Sequence, residues 1–190
     1  MNERRFRLDL TIAVSALLIS TIAALASVYQ TRVISQQLSA AVWPYLNIDR
    51  TNAPTGVTIS LTNYGLGPAL IRSAQLDVNG KPAASWNDLI VAFVRRAHTM
   101  HLKGTTRTSD ANLDGSMVLS PGATRRLFDV QANGPALRVV RETLGDVSLS
   151  ICYCSLLGQC WQMTSNQSSG PTATSSCPAG ASIAAPTPPP

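Results

Sequence analysis

The sequence predicts a mainly β protein: a small antiparallel β-sandwich or barrel, immunoglobulin-like as one option, with one or two short helices behind a single N-terminal transmembrane helix. Three observations carry this. Leu10–Thr31 is a run of 22 residues without a formal charge. Short stretches of alternating apolar and polar residues, punctuated by Gly, Pro and Asn, fill residues 43–163. Four cysteines lie in the last quarter of the chain, as in a domain folded under oxidising conditions. A chain of 190 residues has room for one core of ordinary size.

As a helix, Leu10–Thr31 would span roughly 33 Å, against a hydrocarbon thickness of about 30 Å. Arg4, Arg5 and Arg7 precede the run and only Arg32 follows it closely, so the positive-inside rule keeps the N-terminus in the cytoplasm. The expected organisation is a cytoplasmic N-terminus (1–9), a transmembrane helix (10–31), a helical stalk (32–42), an extracytoplasmic β domain (43–163) and a disordered tail (164–190). The expected place is a bacterial inner membrane, with lipid as the first partner and the domain in the periplasm. Cleavage after Ala26 is the competing reading, because Ala24-Leu25-Ala26 carries the small residues a signal peptidase needs. The helical pattern continuing through Ile34 and Leu38 favours an anchor. Ala13, Ala16, Ser20, Ala23 and Ser27 fall on one stripe, along which two such helices can approach as a homo-oligomer. A segment this rich in Ala, Ser and Thr also produces such a stripe by composition alone.

Pro44 stops the helix near Trp43, and Trp43–Ile48 reads as the first strand. Val57–Leu61 and Ala69–Val78 follow as strands, the second closed by the tight-turn pair Asn79-Gly80. Ser85 caps Leu89–Val94, a short helix or a buried strand, with helix preferred. His98–Gly115 is polar and reads as an exposed loop. Met117–Gly122 is a strand and turn, Arg125–Val130 a strand, and Leu137–Leu144 a short helix. In Val147–Cys154 alternate residues point to opposite faces, Ser155–Gln159 turns, and Cys160–Met163 returns. From Thr164 the Ser/Thr/Ala/Pro composition lacks the apolar area needed to fold.

Cys154 and Cys160 flank this five-residue turn closely enough to bond across a strand pair, which leaves Cys152 and Cys177 for each other. The loop-entropy relation gives about 2.4 kcal/mol for the smaller ring and about 3.5 kcal/mol for the larger. The alternative chemistry is a thiol-redox or copper-handling centre at Cys152 and Cys154, with His98, Met100 and His101 as further ligands. A lone H-x-x-H spacing carries little weight against an ordinary solvated loop.

The net charge is +5, with twelve basic and eight acidic residues from Arg32 onward. The arginine pairs Arg95-Arg96 and Arg125-Arg126 are scattered, so no nucleic-acid partner is expected. No nucleophile motif, paired-carboxylate set or metal-ligand cluster of convincing spacing is present in the sequence, which points away from an enzyme, and no metal or other cofactor is expected. Trp43, Tyr64, Trp86 and Trp161 are candidates for an interaction surface, although packing is the plainer role of each tryptophan.

Three boxes stand out together: Val42-Trp43-Pro44-Tyr45-Leu46, Asn63-Tyr64-Gly65-Leu66-Gly67-Pro68-Ala69, and Tyr153-Cys154-Ser155 through Gly158 to Cys160-Trp161. With them the chain resembles a loose group of uncharacterised bacterial proteins that have one N-terminal membrane helix and a small outer domain. The resemblance covers about residues 10–163 and implies no activity. Cys152 and Cys177 stand as additions to the pair shared with that group. Physically, residues 63–68 read as a strand-to-strand turn in which the glycines can take positive φ and the Asn63 side chain can bond nearby backbone, not as a phosphate loop, because no helix N-terminus follows. The expectation is a noncatalytic, membrane-anchored module that meets another envelope protein.

Overall fold

A computed structural model describes residues 3–100, 107–110, 113–166, 169–178 and 182–183. The chain divides into two compact units, Met1–Ala41 and Val42–Pro190.

The first unit is one helix, α1 (Glu3–Ala41), long and apolar enough to cross a membrane. Five of its hydroxyl side chains are satisfied within the helix. Ser15, Ser20, Thr21, Ser27 and Thr31 each donate a hydroxyl to a carbonyl three or four residues back, at 2.8–2.9 Å. Such back-bonding lowers the cost of placing these hydroxyls in an apolar setting.

The second unit is mainly β. Its strands are β1 (Leu46–Ala53), β2 (Gly56–Asn63), β3 (Ala69–Val78), β4 (Lys81–Ala83), β5 (Arg107–Asp110), β6 (Val118–Leu119), β7 (Thr124–Gln131), β8 (Val147–Cys154), β9 (Cys160–Thr164) and β10 (Thr172–Thr174). Helix α2 (Trp86–Thr99) joins β4 to β5, and α3 (Pro135–Gly145) joins β7 to β8. All pairings are antiparallel, in two separate sheets ordered β1-β2-β7-β5 and β10-β9-β8-β3-β4, with β6 on β3. Two sheets make this a sandwich, not a closed barrel. The first order and the β9-β8-β3-β4 part of the second follow the ABED and GFC strand orders of an immunoglobulin-type sandwich, with β4 beside β3 as C′ lies beside C. The disulfide that links the two sheets in antibody domains is absent, since β2 has no cysteine.

Local chemistry sets the elements. Asn79 and Gly80 both take positive φ, 53° and 72°, and close the β3–β4 hairpin as an Asn-Gly turn does. Asp88 accepts hydrogen bonds from the Ala84 and Ser85 amides and so caps α2. Trp86, Leu89 and Phe93 form the buried face of that helix, and Trp86 stacks on Phe128 of β7 at 5.3 Å. Pro135 opens α3 at its first turn, where a missing amide costs nothing. Arg50 of β1 closes the other end of α3 by donating to the Leu144 and Arg141 carbonyls at 3.1 and 2.9 Å. One core draws on both sheets and both helices: Leu61, Ile71, Leu76, Leu127, Leu149 and Ile151 are all fully buried within it.

Three expectations need correction. The first strand begins at Leu46, not Trp43, because Trp43 gives its carbonyl to the Leu66 and Gly67 amides and Pro44 has no amide. The polar loop 98–115 contains β5, which pairs with β7, and Leu113, which is fully buried and bridges to Ile183; residues 101–106 and 111–112 lie outside the described set. The chain beyond Thr164 is not a disordered tail over its described residues. Strand β10 extends the second sheet, Cys177 is cross-linked to β8, and Ile183 enters the core. Residues 184–190 lie outside the described set.

Candidate functional site

The most constrained part of the domain is the end at which the chain enters it, and it is built around Asn63. This side chain ends β2 and is fully buried. Its Oδ1 accepts from the Tyr45 amide at 3.2 Å and the Gly65 amide at 3.0 Å. Its Nδ2 donates to the Gly67 carbonyl at 2.8 Å and the Leu119 carbonyl at 3.0 Å. Both donors and both lone pairs of the amide group are thus used, on three different chain segments.

Backbone bonds run alongside: the Tyr64 amide donates to the Tyr45 carbonyl at 2.8 Å, and the Leu66 amide to the Trp43 carbonyl at 3.0 Å. Gly65 and Gly67 permit this approach. A Cβ on Gly65 would collide with Tyr45 N and Trp43 O, and one on Gly67 with Val42 O. Neither takes positive φ, so the glycines serve close backbone contact and not the turn geometry expected from sequence.

The third box completes the cluster. Tyr153 on β8 is fully buried, and its hydroxyl accepts the Leu46 amide at 3.3 Å. Burial pushes its phenol up to about 12; the Leu46 hydrogen bond acts the other way, and nearby Tyr45 adds to the rise. Trp161 on β9 stacks near Tyr153 at 5.9 Å and meets Trp43 at 6.3 Å, while Trp43 is edge-on to Tyr45 at 5.6 Å. The three boxes, far apart in sequence, therefore form one contact cluster that holds the first residues of the domain.

Outside this cluster lies an uncharged rim. Segments 42–45, 63–68, 116–123 and 155–159 contain no Asp, Glu, Lys or Arg. They leave large apolar and aromatic side chains open: Leu66 is 75% exposed, Tyr64 63% and Trp43 42%, joined by Val118, Leu156 and Leu157. The segments meet at one end of the sandwich, since Leu46 pairs with Asn63 while Leu70 pairs with both Val118 and Cys154. Of the four aromatic residues singled out from sequence, Trp43, Tyr64 and Trp161 belong to this end. Trp86 does not: it is fully buried against Phe128, because the amphipathic face of α2 turns it into the core. Asn63 stands in the second box and its bonds to Gly65 and Gly67 are local, but nothing in the sequence marks its bond to Leu119, 56 residues away.

The cysteines lie beside the rim. Cys154 is bonded to Cys160 across the β8–β9 hairpin and Cys152 to Cys177 beyond β10, so these are the pairs that the hairpin spacing selects. No cysteine is free. The two bonds touch: Cys154 Sγ lies 3.8 Å from Cys177 Sγ, and the sulfurs of Cys154, Cys160 and Cys177 are all within 4.8 Å of one another. Among the described residues that cluster contains no His or carboxylate. His98 sits instead on α2, in a groove of about 430 Å³ with Ile90, Val91, Val94, Arg95 and Thr99. Met100 is the C-cap of the same helix, and His101 lies outside the described set.

Two arginines elsewhere act structurally. Arg96 reaches Glu142 and Asp146 at 3.5 and 3.6 Å and ties α2 to α3. Burial, with Arg141 close by, lowers the pKa of Arg50 at the end of α3.

The fold and this end of it define a β-sandwich with an uncharged leading rim over a hydrogen-bonded cluster. No known protein family, curated protein or solved structure matches the chain.

Proposed function

We propose that this protein is a noncatalytic module, tethered to the bacterial inner membrane by α1, whose β domain meets another envelope protein through the uncharged rim. The observation that carries the reading is that rim: exposed Leu66, Tyr64 and Trp43 on a backbone fixed by Asn63. Exposed apolar groups on a rigid, uncharged frame are the usual make-up of a contact surface. The arginines before Leu10 favour an N-terminus in the cytoplasm and a domain in the periplasm, where both disulfides are stable.

Photo-cross-linking in cells tests this. A photoreactive residue at position 66 is expected to give one discrete protein adduct, while the same residue at exposed Lys81 gives none. Lipid adducts alone at position 66, or identical adducts at both positions, would refute the assignment. A reporter fused behind Pro190 that is active only in the cytoplasm would overturn the topology.

A further inference from the structure

We propose that the two disulfides form an exchange relay, in which reduction of the Cys154–Cys160 bond is passed inward to Cys152 while Cys177 stays cross-linked. This goes beyond the binding role above and does not depend on it.

The geometry starts from β8. Cys152 and Cys154 are two residues apart on one strand, so their side chains emerge on the same face. Cys160 lies opposite Cys154, and Cys177 arrives from beyond β10 to bond Cys152. The second tether brings Cys177 Sγ to 3.8 Å from Cys154 Sγ, a van der Waals contact between two sulfurs that belong to different bonds. A thiolate released at Cys154 is therefore already against a disulfide sulfur. Cys152 and Cys154 are almost wholly buried, whereas Cys160 and Cys177 are both partly exposed; the relay is the route that opens when the reductant enters at Cys160.

The electron balance is complete with a dithiol protein as reductant. Its thiolate attacks Cys160 Sγ, forming a mixed disulfide and expelling Cys154 as thiolate. Its second thiol, as thiolate, attacks its own sulfur in the mixed disulfide; the donor leaves oxidised and Cys160 takes up a proton. Cys154 thiolate then attacks Cys177 Sγ, the Cys154–Cys177 bond forms, and Cys152 leaves as thiolate and is protonated. The net change is a two-electron reduction that converts two disulfides into one disulfide and two thiols, at Cys152 and Cys160. Contact between the reacting sulfurs makes the last step intramolecular. The reduced form keeps the segment around β10 attached and hides one of its two thiols on the buried part of β8.

The test is partial reduction of the full chain in detergent. A water-soluble phosphine supplies two electrons per molecule without adding a thiol that would shuffle bonds; acid quenching, alkylation and peptide mapping follow. The expected singly reduced species carries a Cys154–Cys177 linked peptide with alkyl groups on Cys152 and Cys160, in a share unchanged by dilution of the protein. Alkyl groups on Cys154 and Cys160 with Cys152–Cys177 intact would overturn the relay, as would alkyl groups on Cys152 and Cys177 with Cys154–Cys160 intact. Cys160→Ser, which leaves Cys154 permanently as a thiol, gives an independent reading: Cys154 is expected to capture Cys177 and leave Cys152 alkylated. If the folded variant retains only the Cys152–Cys177 bond, the proposal fails, and the wild-type titration decides whether or not the variant folds.

Discussion

Replacing Asn63 with alanine removes four hydrogen bonds at once, and the consequence can be worked from their surroundings. The Gly67 and Leu119 carbonyls belong to buried residues, so each loses its donor where water does not readily replace it. The Tyr45 and Gly65 amides are in half-buried residues and recover part of their loss by hydration. At about 1 kcal/mol for each replaceable bond, and somewhat more for each orphaned carbonyl, the expected loss is about 4 kcal/mol. For a domain of this size that lowers the midpoint by roughly 8–16 °C. Thermal unfolding of the detergent-solubilised chain, followed by near-ultraviolet circular dichroism and tryptophan fluorescence, measures it. Asn63→Asp sharpens the test. Aspartate retains the two acceptors but turns a buried charge toward two carbonyls, so at neutral pH it should be no better than alanine and should recover in acid, where the protonated carboxyl can donate again. A loss below about 1 kcal/mol for Asn63→Ala, or a wild-type midpoint for Asn63→Asp at neutral pH, would refute the view that this side chain ties the leading segments together.

The remaining predictions concern the same end of the domain. Gly67→Ala should cost about 3 kcal/mol or more, because its Cβ meets the Val42 backbone, whereas Gly80→Ala, strained only by its positive φ, should cost about 1 kcal/mol; denaturant midpoints compare them. Tyr153 adds an alkaline limit. Its folded-state pKa is raised to about 12 from 10.0, so its contribution is complete below the unfolded value and is lost as pH rises through this window, and Tyr153→Phe should flatten that loss in alkaline titrations of stability. Replacing Cys152 and Cys177 together by serine should cost about 3.5 kcal/mol and replacing Cys154 and Cys160 about 2.4 kcal/mol, so the first double variant should have the lower denaturant midpoint. Leu156→Asp, at a largely exposed site of the same rim, should leave stability within about 0.5 kcal/mol while abolishing the protein adduct expected from the photoreactive residue at position 66.

What the sequence determined by itself was local. The uncharged run of α1, the alternation of β8, the Asn-Gly turn after β3 and the stop before Pro44 each follow from interactions among residues a few positions apart, so their signals lie within a short window. The Cys154–Cys160 pair was legible for the same reason, since a five-residue turn fixes both ends. Tertiary structure decided the rest. Arg107–Asp110 is a strand only because β7 offers its edge, and Thr172–Thr174 only because β9 does. Trp86 is core, not surface, because α2 folds its apolar face over Phe128. Asn63 and Leu119, or Leu46 and Tyr153, meet across 56 and 107 residues of chain, distances over which composition and periodicity carry no information. The physical reason is the same in each case. A hydrogen bond or a buried ring is worth something only when a particular distant partner excludes water from it, and which partner arrives is settled by how the two sheets close on one core.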